Sequence, residues 1–364
     1  MFKQDERNNY AHGGDVWSYA YDVLDFSANI NNQGLSKQAR QAMVEQIDQV
    51  IHYPDPHCRQ LLGSLSNYLD IPSSAILCGN GAVDLLDHWV RYWQLQKVLL
   101  CEPAFGQYHR AIRAQGAQLH SYYLDESRGF IFSVEQWLKE LEQSGCDGAI
   151  LCSPHNPLGW TFSRDTLNQV IQACEARKIH LLIDESFIDF LPVQEANSAV
   201  THAVKSNYVG VLYSLTKFFS IPGLRLGTLI AEPSIIEQLK SHRDPWSVNH
   251  LAQVSAVAAL QDREYQEKTK ALLPEQRGYL QEALLSLPSF EPLPSAVNFM
   301  LVNIEKSGYS STWWTEKLAQ RNILVRNCNS FALLGERYLR IAVRKKEETE
   351  ILLGAFESIS KEET

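Results

Sequence analysis

Apolar residues in this chain fall into short, nearly continuous runs, separated by longer stretches in which they recur every three or four positions. Between about residues 75 and 232, the runs Val98–Cys101, Ala149–Cys152, His180–Ile183, Tyr208–Tyr213 and Arg225–Ala231 predict strands. Stretches such as Ser133–Gln143 and Ser163–Lys178 predict amphipathic helices. Runs that are apolar throughout belong to strands buried on both faces, so the expected sheet is mostly parallel, with helices on either side. Ligands of such sheets bind beyond the carboxyl ends of the strands, and chemistry is expected just after each run. Ser247–Leu287 reads as long helix, with a break expected near Pro274. Beyond it, strands are predicted at Val297–Asn303 and Tyr338–Val343 and helices at Ser311–Asn322 and Lys346–Ser360, with Leu324–Arg326 between them. The expected fold is α/β: a three-layer, mostly parallel large domain over residues 41–246, and a smaller α/β domain made of residues 1–40 and 247–364. At about 150 residues per domain, a chain of 364 residues agrees with two.

Composition narrows the classes. Hydrophobic residues make up 45% and charged residues 21%, with 19 Gly and 14 Pro, which excludes a disordered or collagenous chain. Lys and Arg number 33 against 42 Asp and Glu, a net charge of −9, so the global field repels nucleic acids and anionic membranes. An anionic small substrate needs local arginines. The seven cysteines (Cys58, Cys78, Cys101, Cys146, Cys152, Cys174, Cys328) are dispersed and odd in number, without a C-x-x-C pair. They read as reduced core residues rather than a disulfide framework or metal site. The polar start MFKQDERNNYAHGGD does not resemble a signal peptide, and no apolar run reaches about 18 residues, so a cytoplasmic location is expected.

Five segments carry chemistry. Cys78-Gly79-Asn80-Gly81-Ala82-Val83-Asp84 is a glycine turn feeding an amphipathic helix, suited to phosphate at the free N–H groups of the helix start, although most such turns taken alone are plain helix caps. It lacks the last glycine of G-x-G-x-x-G and the Gly-Lys-Ser/Thr ending of a Walker loop. In Glu102-Pro103-Ala104-Phe105-Gly106-Gln107-Tyr108, an aromatic at Phe105 or Tyr108 either stacks on a flat ring or packs in the core. Ser153-Pro154-His155-Asn156-Pro157-Leu158-Gly159 fixes a turn around one amide, which can donate to a phenolate-like oxygen. Asp184 ends a buried strand in Leu181-Leu182-Ile183-Asp184-Glu185-Ser186-Phe187 and demands a cationic partner. No second carboxylate or His cluster supports a metal there, and a protonated ring nitrogen suffices. In Tyr213-Ser214-Leu215-Thr216-Lys217, followed by Pro222-Gly223-Leu224-Arg225-Leu226-Gly227, desolvation would turn the Lys217 amine into a nucleophile toward an aldehyde, with Arg225 available to a phosphate. Pyridoxal 5′-phosphate needs all five of these parts.

With those motifs the sequence resembles the fold-type I, aspartate-aminotransferase-like pyridoxal-phosphate enzymes over nearly its whole length. The resemblance implies that Lys217 takes the cofactor aldehyde and later moves protons, that Asp184 keeps the ring nitrogen protonated, that Asn156 binds the ring oxygen and that Tyr108 stacks on the ring. It further implies Gly81, Ala82, Ser214, Thr216 and Arg225 around the cofactor phosphate. Tyr53 of Tyr53-Pro54-Asp55-Pro56 would reach a phosphate across the interface of a homodimer. Within the group, the sequence is most similar to threonine-phosphate decarboxylases and the related histidinol-phosphate aminotransferases. His12-Gly13-Gly14, Leu24-Asp25-Phe26-Ser27-Ala28-Asn29-Ile30-Asn31, the run from Asp184 to Phe190, and Pro245-Trp246-Ser247-Val248-Asn249 all resemble the decarboxylase. Asn32-Gln33 departs from that pattern, which has Pro-Leu. The implied reaction is decarboxylation of L-threonine O-3-phosphate to (R)-1-aminopropan-2-yl phosphate and CO2 in cobalamin biosynthesis. The alternative is a 2-oxoglutarate-dependent aminotransferase of the histidinol-phosphate type. The resemblance assigns Arg340 to the substrate carboxylate, with Asn29 and Asn156 also at the substrate, and His12 and Arg326 to its phosphate. Arg344 is a further candidate anion clamp that reads more readily as a surface ion pair.

Overall fold

The computed structural model describes residues 12–19, 21–192 and 197–362. Residues 1–11, most of the polar start discussed above, lie outside the described residues. In chain order the first elements are β1 (Leu24–Asp25), α1 (Lys37–Gln46), α2 (Arg59–Leu69), β2 (Ile76–Gly79), α3 (Ala82–Tyr92), β3 (Lys97–Glu102), α4 (Gly106–Ala114) and β4 (Gln118–Tyr123). The middle of the chain adds α5 (Val134–Ser144), β5 (Gly148–Cys152), α6 (Arg164–Arg177), β6 (His180–Asp184), α7 (Val200–Ala203), β7 (Val209–Ser214), α8 (Leu215–Phe218), β8 (Gly227–Ile230) and α9 (Pro233–Lys240). Then come α10 (His250–Gln261), α11 (Arg263–Leu285), β9 (Glu291–Pro292), β10 (Phe299–Asn303), α12 (Ser311–Ala319), β11 (Ile323–Leu324), β12 (Arg326–Asn327), β13 (Tyr338–Ala342) and α13 (Lys346–Glu362).

Seven strands form the main sheet in the order β2-β8-β7-β6-β5-β3-β4. The strands β4, β3, β5, β6 and β7 run parallel, and only β8 is antiparallel to its neighbours. The uninterrupted apolar runs are explained by burial on both faces: every residue of β2, β5, β7 and β8 is buried. Helix packing is close enough that a Cβ on Gly210 would stand 2.6 Å from the Trp89 ring of α3. Register then gathers the strand ends. Cys152 lies opposite Asp184, and Gly227 lies between Ser214 and Gly79.

Four later strands form an antiparallel sheet, β12-β13-β10-β9. The start of the chain joins this region, since β1 pairs in parallel with β11, and the Ala342 N–H donates to the Phe26 carbonyl at 2.9 Å.

The structure changes several expectations. Asp262, rather than Pro274, divides the long helical stretch, because it closes α10 and its carboxylate caps α11 by accepting the Tyr265 N–H at 3.1 Å. Pro274 sits inside α11. The strand expected from Arg225 begins at Gly227, since Arg225 adopts a left-handed φ of 58° that no strand accepts. Edge strand β4, Gln-Leu-His-Ser-Tyr-Tyr, escaped the apolar-run criterion because most of it faces solvent. All seven cysteines are buried and unpaired. Among the described residues no helix is long and apolar enough to cross a membrane.

Candidate active site

Lys217 stands on α8, one residue turn beyond the fully buried β7. Its amine is shifted down from 10.5 to about 8: burial disfavours the ammonium most, Arg225 and then Arg340 repel it, and Asp184 opposes them. Among the described residues no hydrogen bond or ion pair engages its Nζ, so the amine is unencumbered. Asp184 ends β6 and is buried. It accepts the Tyr108 hydroxyl at 2.7 Å and the Ser186 N–H at 2.9 Å. The Tyr108 hydroxyl bond leaves no signal in the sequence, which shows only an aromatic residue after β3.

An anion cradle lies at the β2–α3 turn. Gly81 has φ +83°, and a Cβ there would collide with the Arg225 guanidinium, so the turn and the arginine pack face to face. A Cβ on Gly227 would likewise strike the Ala82 backbone, which brings the start of α3 against β8. The buried hydroxyls of Ser214 and Thr216 stand 2.8 Å apart beside Lys217. Backbone N–H groups of a helix start, two hydroxyls and a guanidinium are the donor set a phosphate monoester needs. The cradle at Gly81 therefore fits the phosphate of pyridoxal 5′-phosphate, and the carboxylate of Asp184 fits its ring nitrogen.

A second cationic cluster adjoins the lysine. Arg340, in β13, is buried and donates from Nη1 to Asn156 Oδ1 at 2.5 Å and from Nη2 to the Ser27 carbonyl at 3.0 Å. That contact orients the amide: with Oδ1 on Arg340, Nδ2 of Asn156 is the end left to donate elsewhere. Arg340 packs over the Phe299 ring at 5.4 Å, and its buried Nε has no partner. Arg326 is its register partner across β12–β13 and donates to Ser330 Oγ at 2.7 Å. His12 lies within the field of both arginines and of Lys217. Partial burial lowers its pKa, followed by Arg326, Arg340 and Lys217. Its Nε2 stands 2.6 Å from Gln107 Nε2, and its ring lies 5.5 Å from Phe105. Asn29 is buried, with Oδ1 lacking any protein donor.

Tyr53 lies elsewhere. It is 80% exposed and stacks on Trp246 at 4.8 Å, by a shallow hollow of about 420 Å³ that His52, Asp55, Arg59 and His250 also line. Arg344 pairs with Glu348 at 2.6 Å. Two participants in the cluster were not singled out from sequence: the Ser27 carbonyl and Asn31, whose contacts with Arg340 and Lys217 are long-range and leave no local signal.

The chain is similar to several known proteins along most of its length. The chain is 32% identical over 360 residues to "Threonine-phosphate decarboxylase" of Salmonella typhimurium, covering 96% of this chain and 97% of that protein. It is 26% identical over 334 residues to "Histidinol-phosphate aminotransferase" of Methanococcus maripaludis, covering 91% and 88% of the two chains. Among solved structures, the histidinol-phosphate aminotransferase from Clostridium acetobutylicum superposes with a TM-score of 0.86 at 26% identity, over 93% of this chain and 100% of that one. The sequence model described as "Aminotransferase class I and II" matches residues 21–356, which include the cradle, the lysine, Arg326 and Arg340. On this match, and on a mostly parallel sheet that gathers Asn156, Asp184 and Lys217 at its strand ends, the chain belongs to the aminotransferase class I and II family.

Proposed function

We propose that this protein binds pyridoxal 5′-phosphate at Lys217 and decarboxylates L-threonine O-3-phosphate to (R)-1-aminopropan-2-yl phosphate and CO2, a reaction of cobalamin biosynthesis. The observation that carries the reading is the pair of buried arginines in register, Arg340 and Arg326, next to the lysine. A substrate with two anionic groups flanking an amine matches their charge. The full-length likeness to a threonine-phosphate decarboxylase favours this substrate over histidinol phosphate, which has no carboxylate.

Gly81, Ala82, Ser214, Thr216 and Arg225 would hold the cofactor phosphate, Asp184 the proton on its ring nitrogen, Asn156 Nδ2 its ring oxygen and Tyr108 its ring face. When bound, the cofactor supplies an aldehyde for the substrate amine and a protonated ring that accepts the electron pair left at Cα. The bond at Cα that stands perpendicular to the ring is the one that breaks, so whichever residue fixes the carboxylate selects the reaction. Arg340, anchored on Asn156 and Ser27, fixes it. Arg326 and His12 take the phosphate of the substrate and Asn29 lies beside it, a remote handle that steadies the pose. Loss of CO2 leaves Cα short of one proton. Lys217 Nζ, which a pKa of about 8 leaves largely protonated at physiological pH, is the group that returns it.

Residues 41–246 serve as the cofactor-binding domain, and residues 1–40 with 247–364 as the smaller one. The working unit is a homodimer without nucleic acid or membrane, located in the cytoplasm. Val44, Ile47, Val50, Ile51, Tyr53 and Trp246 form an exposed apolar face that a second copy would cover, carrying Tyr53 toward the partner's cofactor phosphate. A second reading, amino transfer, is supported by the likeness to the Clostridium aminotransferase. The test is to supply purified protein with pyridoxal 5′-phosphate and L-threonine O-3-phosphate. CO2 release without a 2-oxo acid supports decarboxylation, and strict dependence on 2-oxoglutarate supports transfer.

A further inference from the structure

Lys217 is carried by a single helical turn, and a single turn does not hold itself. Its last carbonyls have no intrahelical partners, and too few bonds repay the fixed dihedrals. In this structure a residue from the far end of the chain takes them. The Asn31 N–H donates to the Lys217 carbonyl at 3.0 Å, where it joins the N–H groups of Phe219 and Ser220, and Asn31 Nδ2 donates to the Phe218 carbonyl at 2.9 Å.

The rest of Asn31 is equally engaged. Nδ2 also approaches Tyr265 Oη at 2.9 Å and Thr269 Oγ1 at 2.8 Å, both on α11. Oδ1 accepts the Gln33 N–H at 3.0 Å, and the Asn31 carbonyl accepts the Ser220 hydroxyl at 2.8 Å. Asn31 is only 5% exposed. A buried amide with every group satisfied tolerates little movement, and it transmits that rigidity to the turn it caps.

The same short segment reaches the second cationic cluster. Ser27, four residues before Asn31, accepts from Arg340, and Asn29 between them holds a buried, unpartnered Oδ1. The segment Ser27–Asn31 is therefore a strap with the carboxylate clamp at one end and the lysine turn at the other. We propose that Asn31 is a positioning residue for Lys217: it caps the lysine turn and fixes the amine relative to Arg340 and Asn29. The proposal rests on the reading of Lys217 as the cofactor-binding lysine.

The test compares Asn31→Ala with Thr269→Val in the cofactor-loaded enzyme. Thr269 belongs to the same network, bonding Asn31 and the Tyr265 carbonyl. It contacts neither Lys217 nor Phe218 among the described hydrogen bonds. Three quantities are read: the pH midpoint of the visible absorbance change of the bound cofactor, kcat and KM separately, and Tm. Asn31→Ala is expected to move the spectral midpoint by about half a pH unit or more and lower kcat about tenfold or more, with KM within about threefold. Thr269→Val is expected to lower Tm while leaving midpoint and kcat at the parent's values. If Asn31→Ala does not fold, Asn31→Ser serves: like alanine it keeps the backbone N–H on the Lys217 carbonyl, its hydroxyl is too short to reach the Phe218 carbonyl, and it leaves a polar group in the buried network. A folded, coloured Asn31 variant with the parent's midpoint and kcat overturns the proposal, as does a Thr269→Val variant that moves both just as far. Absence of any borohydride-reducible colour in the parent refutes the reading of Lys217 itself, and this proposal with it.

Discussion

Replacing Arg340 by Lys keeps one positive charge and removes the planar fork. The guanidinium now serves Asn156 Oδ1 at 2.5 Å and Ser27 O at 3.0 Å and still presents a buried, unpartnered Nε. A lysine ammonium is a point donor that cannot reach both acceptors and an anion in one geometry. One buried acceptor left without its donor costs about 1–3 kcal/mol of stability. Losing a charge-assisted, two-point grip on the substrate carboxylate costs about 1.5–3 kcal/mol in the transition state, or roughly 10- to 150-fold in kcat/KM. The assay is steady-state CO2 release from L-threonine O-3-phosphate, with Arg344→Lys as the control. Arg344 pairs with Glu348 at 2.6 Å, and its replacement should change kcat/KM less than about twofold. A value for Arg340→Lys within about threefold of the parent would refute the carboxylate clamp.

Borohydride trapping of pyridoxal 5′-phosphate by the cofactor-free protein should reach half its maximal rate near pH 8, because at that pH half the Lys217 amine is neutral against about 0.3% of an ordinary lysine; an absent adduct in Lys217→Ala and an upward shift of the midpoint in Arg225→Gln complete the test. The unfolded chain binds the Lys217 proton that the folded chain releases, so this group makes the cofactor-free fold gain stability as pH rises from about 8 to about 10.5, measurable by urea titration at several pH values. Gly81→Ala places a Cβ against Arg225 on a backbone with φ +83°, and should weaken cofactor binding about tenfold, whereas Gly63→Ala, with open space around its Cβ, should leave binding unchanged by fluorescence titration. Introducing charge on the exposed apolar face with the double variant Val50→Glu and Trp246→Glu should convert a dimer into monomers, as read by light scattering; a variant that stays dimeric would place the interface elsewhere.

What was legible in the sequence followed from one physical rule. Strands buried on both faces must be apolar throughout, which marked β3, β5, β6 and β7, and their carboxyl ends then located Asn156, Asp184 and Lys217. The rule fails where a strand is half exposed, as β4 is, and where a helix ends by a side-chain cap, as at Asp262, rather than by a proline. Side-chain partnerships across the fold were the other gap. Arg340 on Asn156, Tyr108 on Asp184 and Asn31 on the lysine turn join residues far apart in sequence, and periodicity carries no trace of them. The net charge of −9 shows the same limit, since it conceals the buried arginines Arg326 and Arg340 paired across β12–β13.

The most direct measurement is a balance of carbon: L-threonine O-3-phosphate labelled in its carboxylate, incubated with the pyridoxal 5′-phosphate enzyme and no 2-oxo acid. Stoichiometric release of labelled CO2, with one equivalent of aminopropanol phosphate formed over many turnovers, is the result expected. Retention of the label in the amino acid, with turnover appearing only when 2-oxoglutarate is added, would contradict the central claim and assign the site to amino transfer.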